Sequence, residues 1–133
     1  MTAFADAYAL IAWLNPRDSA NQQVTDYLDG FSGLLVTTEW VLMEVADALS
    51  SPQARGITVD FLRTVRDYPR FAVVGYEQEV YQAGFDLFAA RLDKSWSLTD
   101  CISFAVMTER GLTDALTADH HFEQAGFRAV FKQ

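Results

Sequence analysis

Ala3-Phe4-Ala5-Asp6-Ala7-Tyr8-Ala9-Leu10 reads as an apolar strand that passes into a helix through a single acidic residue. Residues 3–6 are the expected strand, and the helix runs on to Leu14. Asn15-Pro16 stops it there, because a residue preceding proline avoids the helical region. The alternation continues outward from this unit. A polar helix over 19–29 carries Val24, Tyr27 and Leu28 on its inner stripe and ends at Gly30. Leu34-Leu35-Val36 is a short buried strand, and Thr37 or Thr38 caps a helix running to about Leu49. After the Ser50-Ser51-Pro52 break, 53–68 is expected to be a helix with Ile57, Phe61, Leu62 and Val65 inward, stopped by Pro69. Phe71-Ala72-Val73-Val74 is a third strand, and 77–91 a helix with Val80, Phe85, Leu87 and Phe88 as its apolar positions. Residues 98–109 are apolar nearly all round, the mark of a buried helix. Thr113 to Thr117, a short helix over 120–125 ended by Gly126, and a strand from Phe127 to Phe131 complete the chain.

Short apolar strands separated by helices specify an α/β fold with a mainly parallel central sheet. Such a sheet is covered on both faces, which suits uninterrupted apolar strands. No repeat or linker divides the sequence, so 1–133 is expected to be a single domain, long enough to bury a core.

Composition narrows the function. Hydrophobic residues make up 50% of the chain, which excludes a disordered or low-complexity protein. Eighteen acidic residues against ten basic ones leave a net charge of −8, the wrong sign for a protein that coats nucleic acid nonspecifically. A nuclease stays compatible with that charge, since a bound cation offsets an acidic site. The single cysteine, Cys101, rules out an intrachain disulfide and a zinc-type cysteine pattern; within Cys101-Ile102-Ser103-Phe104 it reads as a small core residue. No stretch is long and uncharged enough to span a bilayer, and the N-terminus lacks a basic signal-peptide region, so a cytoplasmic protein is expected.

Four carboxylates interrupt apolar segments: Asp6, Glu44 in Val41-Leu42-Met43-Glu44-Val45-Ala46, Asp100 in Ser97-Leu98-Thr99-Asp100-Cys101-Ile102, and Asp119 in Ala115-Leu116-Thr117-Ala118-Asp119. Asp6 and Asp119 follow predicted strands, and open parallel sheets carry their sites beyond the carboxyl ends of the strands. Each acid also has a plainer role. Asp6 and Asp119 suit helix N-caps, Asp100 suits a capping box with Ser97, and Glu44 suits a solvated helix face. Brought together, four hard oxygen donors with no His or Cys partner call for Mg2+ or Mn2+ rather than zinc.

Other features rank lower. His120-His121 follow Asp119, but successive helical positions point in different directions, so joint ligation by the pair is not expected. Asp47 reads as a surface residue one turn past Glu44. Arg63, Arg66 and Arg70 fall at i, i+3 and i+7 and, with Arg55, form the one candidate phosphate-tracking surface; a solvated face is the plainer account.

The four acid motifs, in this order, resemble those of the PIN-domain ribonucleases, particularly the VapC-type toxins of toxin–antitoxin pairs. The carriers are Phe4-Ala5-Asp6-Ala7-Tyr8, Thr37-Thr38-Glu39-Trp40-Val41-Leu42-Met43-Glu44, Ser97-Leu98-Thr99-Asp100-Cys101-Ile102-Ser103-Phe104 and Thr117-Ala118-Asp119-His120-His121-Phe122. The resemblance implies a three-layer α/β/α domain and a Mg2+ or Mn2+ site formed by Asp6, Glu44, Asp100 and Asp119. It further implies endonucleolytic cleavage of structured RNA such as tRNA or rRNA, a small antitoxin partner and a homodimer. Ala7-Tyr8 departs from the pattern, which commonly has Thr or Ser directly after the first Asp. Thr117 or Ser97 could supply the missing hydroxyl. The competing reading is a PIN-like domain of little activity that binds protein or RNA.

Overall fold

The computed structural model describes residues 1–132. Five strands, β1 (Thr2–Ala5), β2 (Leu34–Thr38), β3 (Phe71–Val74), β4 (Asp114–Leu116) and β5 (Arg128–Ala129), form one sheet in the order β3-β2-β1-β4-β5. Every pairing is parallel. Seven helices connect them: α1 (Ala7–Leu14), α2 (Asn21–Gly30), α3 (Glu39–Ala48), α4 (Pro52–Thr64), α5 (Gln78–Ala90), α6 (Leu98–Glu109) and α7 (His120–Gln124).

Parallel crossovers are right-handed, so their direction along the sheet decides which face a helix covers. β1 to β2 to β3 steps one way, which sends α1 through α4 to one face. β3 returns across the sheet to β4, which sends α5 and α6 to the other, with α7 continuing the step to β5. The packing agrees: α1 touches α2 and α3, α3 touches α4, and α6 touches α5 and α7. The architecture is therefore a three-layer α/β/α sandwich. Its core includes Phe4, Leu35, Val36, Ala115 and Leu116 from the strands, with Leu10, Leu42, Phe104, Met107 and Phe122 from the helices.

α6 is buried as its composition requires, with Cys101, Ile102, Ser103, Phe104, Val106 and Met107 all inaccessible. Cys101 is the core residue expected, and burial pushes its thiol pKa up. Two expectations are corrected, concerning the 53–68 helix with its arginine face and Ile57. The helix expected over 53–68 ends at Thr64 and tightens into a 3-10 turn over Val65–Asp67, so Arg63, Arg66 and Arg70 share no helical face. Arg66 pairs with Glu39, Arg70 donates to the Leu28 and Phe31 carbonyls, and Arg55 donates to the Ser50 carbonyl. Those guanidiniums are engaged with α3, the end of α2 and the link just before α4. Ile57 is exposed, and Thr58 takes the inward position, donating to the Ala54 carbonyl at 2.8 Å. Phe85 and Phe88 on α5 are also exposed, because α5 meets α6 through Gly84.

That contact is backbone on backbone. A Cβ at Gly84 would lie 2.7 Å from the Ile102 Cα and 2.9 Å from its nitrogen. Gly84→Ala must push α5 off α6, and overpacking of this kind costs about 1–3 kcal/mol. A lowered midpoint in urea or thermal melting is the expected outcome; an unchanged midpoint would contradict so close an approach.

Candidate functional site

The strand order reverses direction at β1, between its neighbours β2 and β4, and open α/β sheets bind ligands beyond the carboxyl ends of their strands at such a point. Asp6 directly follows β1, and Thr117 directly follows β4. Ala5 pairs with Leu116, so the two side chains that follow meet: the Thr117 hydroxyl donates to Asp6 Oδ2 at 2.9 Å. The same hydroxyl accepts the Asp119 N–H at 3.1 Å. One buried hydroxyl thereby ties two of the acids to one strand end. Asp6 occupies the N-cap position of α1, yet its side chain makes no capping bond there. Its carboxylate is only 8% exposed and faces the pocket.

Glu44 arrives from β2. The Thr37 hydroxyl donates to the Ala5 carbonyl at 2.9 Å, joining the ends of β2 and β1. Thr38 then caps α3 by accepting the Val41 N–H at 3.1 Å. α3 starts at a defined residue, and Glu44, half-buried in its middle, leans into the pocket while Asp47 stays exposed. Asp100 comes from the opposite layer. It completes the expected capping box of α6, accepting the Ser97 N–H at 3.1 Å while Ser97 accepts its N–H at 2.9 Å. Asp119 caps α7 by accepting the His121 N–H at 2.9 Å. The plainer capping roles of Asp100 and Asp119 are thus real, and each uses only part of the oxygens' hydrogen-bonding capacity.

Asp6, Glu44, Asp100 and Asp119 line one open pocket with Ala7, Tyr8 and Ala118. Neither Lys nor Arg is among its lining residues. A cleft of similar size between the ends of α1 and α3 and the start of α4 has no carboxylate at all. Burial raises the Asp6 pKa from its ordinary 3.8 to about 6; the Thr117 bond opposes the rise and the charges of Asp100 and Asp119 add to it. Burial also lifts Glu44 from 4.5 to about 7, helped by the charges of Asp6, Asp100, Asp119 and Asp47. Four acids on one patch, two of them reluctant to ionise and with neither Lys nor Arg in the lining, could hold a hard divalent cation.

His121, weighed in the sequence only as half of a pair not expected to ligate jointly, sits at the acids. Its Nδ1 lies 3.1 Å from Asp100 Oδ2 and 3.5 Å from Asp119 Oδ1, so it spans the two acids. Its place two residues after Asp119 was the available signal. Tyr8 was read only as a departure; it lines the pocket, its ring 6.2 Å from that of Phe131.

Fold and site together define a parallel α/β domain with an acidic pocket at its topological switch point. Residues 3–128 match the PIN domain family, and the chain belongs to that family. The toxin VapC20 of Mycobacterium tuberculosis, which cleaves the sarcin–ricin loop, has a similar structure at a TM-score of 0.88 and 22% identity, covering 98% of each chain. FitAcB from Neisseria gonorrhoeae is similar at a TM-score of 0.69 and 16% identity, over 97% of this chain and 96% of that one. VapBC2 from Rickettsia felis, bound to a DNA fragment from its promoter, follows at a TM-score of 0.66 and 10% identity, over 95% and 94%. No protein of curated function matches the sequence. No helix among the described residues is long and apolar enough to cross a membrane.

A carboxyl whose pKa is higher in the folded state stabilises the fold below its ordinary pKa and loses that contribution as pH rises through the raised value. For Asp6 and Glu44 the loss spans 3.8 to about 6 and 4.5 to about 7. Metal-free protein should therefore melt lower as pH rises from about 4 to about 7. Asp6→Asn should recover up to roughly 3 kcal/mol at neutral pH and nothing at acid pH. Melting curves of both proteins across that range check it, and a gain that did not depend on pH would refute it.

Proposed function

We propose that the chain, acting as one domain over 1–133, is a Mg2+- or Mn2+-dependent endoribonuclease cleaving structured RNA such as tRNA or rRNA. We further propose that it is the toxin of a toxin–antitoxin pair, held by a small antitoxin and forming homodimers. The observation that carries this reading is the meeting of Asp6, Glu44, Asp100 and Asp119 in one pocket at the strand ends. Family membership and the similarity to toxin structures support it. The sarcin–ricin loop activity of VapC20 supports structured RNA as the substrate class.

Asp6, Asp100 and Asp119 would hold the cation, and Glu44 would either join them or orient the attacking water. A divalent ion in such a site supplies an acidified water and offsets charge on the phosphate and leaving group. The chain's own part is to fix donors in place. Thr117 restrains Asp6, and backbone caps at α6 and α7 restrain Asp100 and Asp119. Thr117 meets the need for a hydroxyl beside Asp6 that Ala7 cannot fill. Glu44, with its pKa raised to about 7 by burial and by its acidic neighbours in the metal-free protein, gives up its proton after Asp6 does. The second reading, a weakly active or inactive domain that binds protein or RNA, is favoured by the acidic balance and by Ala7-Tyr8, and disfavoured by the intact set of four acids.

Asp6→Asn and Asp100→Asn should each abolish Mg2+-dependent RNA cleavage while far-UV circular dichroism stays native. Undiminished cleavage by both would sink the mechanism. Calorimetry with Mn2+ separates the two readings, since folded protein that fails to bind Mn2+ at neutral pH would favour the binding module. Thr117→Val should weaken Mn2+ binding about tenfold or more, the loss typical when the group supporting a ligand is removed.

A further inference from the structure

The histidine pair behaves differently from its expected geometry. Asp119, His120 and His121 bring one carboxylate oxygen and two imidazole nitrogens to within 4.8 Å of one another. Asp119 precedes the first helical turn, so its side chain doubles back over both rings, which lie 4.5 Å apart, centroid to centroid. His120 Nδ1 is 3.7 Å from Asp119 Oδ1, and His121 Nδ1 is 3.5 Å from the same oxygen. Asp100 Oδ2, from the facing end of α6, stands 3.1 Å from His121 Nδ1. Around a tetrahedral zinc ion with bonds of about 2.0–2.1 Å, neighbouring donor atoms stand about 3.3 Å apart. The three pair distances, 3.1, 3.5 and 3.7 Å, lie near that edge length, and Asp100 joins the Asp119–His120–His121 group through His121. They come from four side chains on two elements, two of them nitrogen donors.

We propose that Asp100, Asp119, His120 and His121 form a mixed carboxylate–imidazole site for a borderline transition-metal ion, Zn2+ above all. Imidazole favours such ions, whereas Mg2+ is held by oxygen alone. The site shares Asp100 and Asp119 with the acidic pocket and leaves out Asp6 and Glu44. It rests on the placement of these donors, independently of the ribonuclease reading. Since two donors are common to both sets, Zn2+ here takes carboxylates that a hard ion in the pocket would use, and the two ions compete.

Calorimetry of the full, metal-stripped chain with Zn2+ tests the site. Wild type should bind one Zn2+, with affinity at least tenfold weaker in His121→Asn and in His120→Asn. Asn fills the near half of the ring's space and removes the imidazole donor. His120 is exposed, so its variant tests the site even if His121→Asn fails to fold. Asp6→Asn should keep its Zn2+ affinity, and Zn2+ should displace the electron-spin-resonance signal of Mn2+ bound to wild type. Unaltered Zn2+ affinity in both histidine variants, or no Zn2+ binding by wild type, would overturn the proposal. If Mn2+ binding fails while Zn2+ binding depends on the histidines, the hard-cation reading falls and this site stands.

Discussion

A single hydroxyl group organises the end of the sheet. Thr117 Oγ1 donates to Asp6 and accepts from the Asp119 backbone, and it is wholly buried while doing so. The first bond follows from the parallel register of β1 and β4, which sets Ala5 against Leu116 and leaves the next side chain of each strand at the same rim; the second is a local turn two residues long. A carboxylate placed there loses its water, and that loss costs more than one neutral hydrogen bond returns. The raised pKa of Asp6 expresses the imbalance. Local structure around it is correspondingly well determined. Thr37 joins β2 to β1, Thr38 starts α3, and the Ser97–Asp100 box starts α6.

These restraints use capping chemistry that is ordinary elsewhere. Aspartate before a helix satisfies free backbone N–H groups and needs no other reason to be there. Here Asp100 and Asp119 do satisfy them, with oxygen capacity left over toward the pocket. Capping and cation binding are therefore compatible roles of one side chain: the cap restrains the carboxylate and lowers the entropy lost when an ion is bound. Asp6 differs, since it stands at a cap position without capping and turns instead to Thr117.

The arginines show how a periodic pattern misleads. Arg63, Arg66 and Arg70 share a face only if the helix continues past Thr64. Val65 turns into the core, and the backbone tightens to a 3-10 turn there. Arg66 and Arg70 then reach Glu39 and the carbonyls at the end of α2, contacts from residues at least 27 positions away in sequence. The histidines misled in the opposite sense. Helical geometry separates adjacent side chains, but α7 has only just begun at His120, and the Asp119 side chain folds back to both rings.

Local sequence determined the alternation of strand and helix, the buried character of α6, the caps at Thr38 and Ser97, and the identity of the four acids. Each follows from side-chain period, β-branching or hydrogen bonding within a few residues, which the chain carries wherever it is placed. Strand order belonged to the tertiary structure, because parallel pairing joins residues that have no local sign of one another. So did the meeting of Asp6 with Thr117, 111 residues apart, and the placement of His121 between Asp100 and Asp119. Burial sets the ionisation of Asp6 and Glu44, and burial exists only once the layers have closed over them.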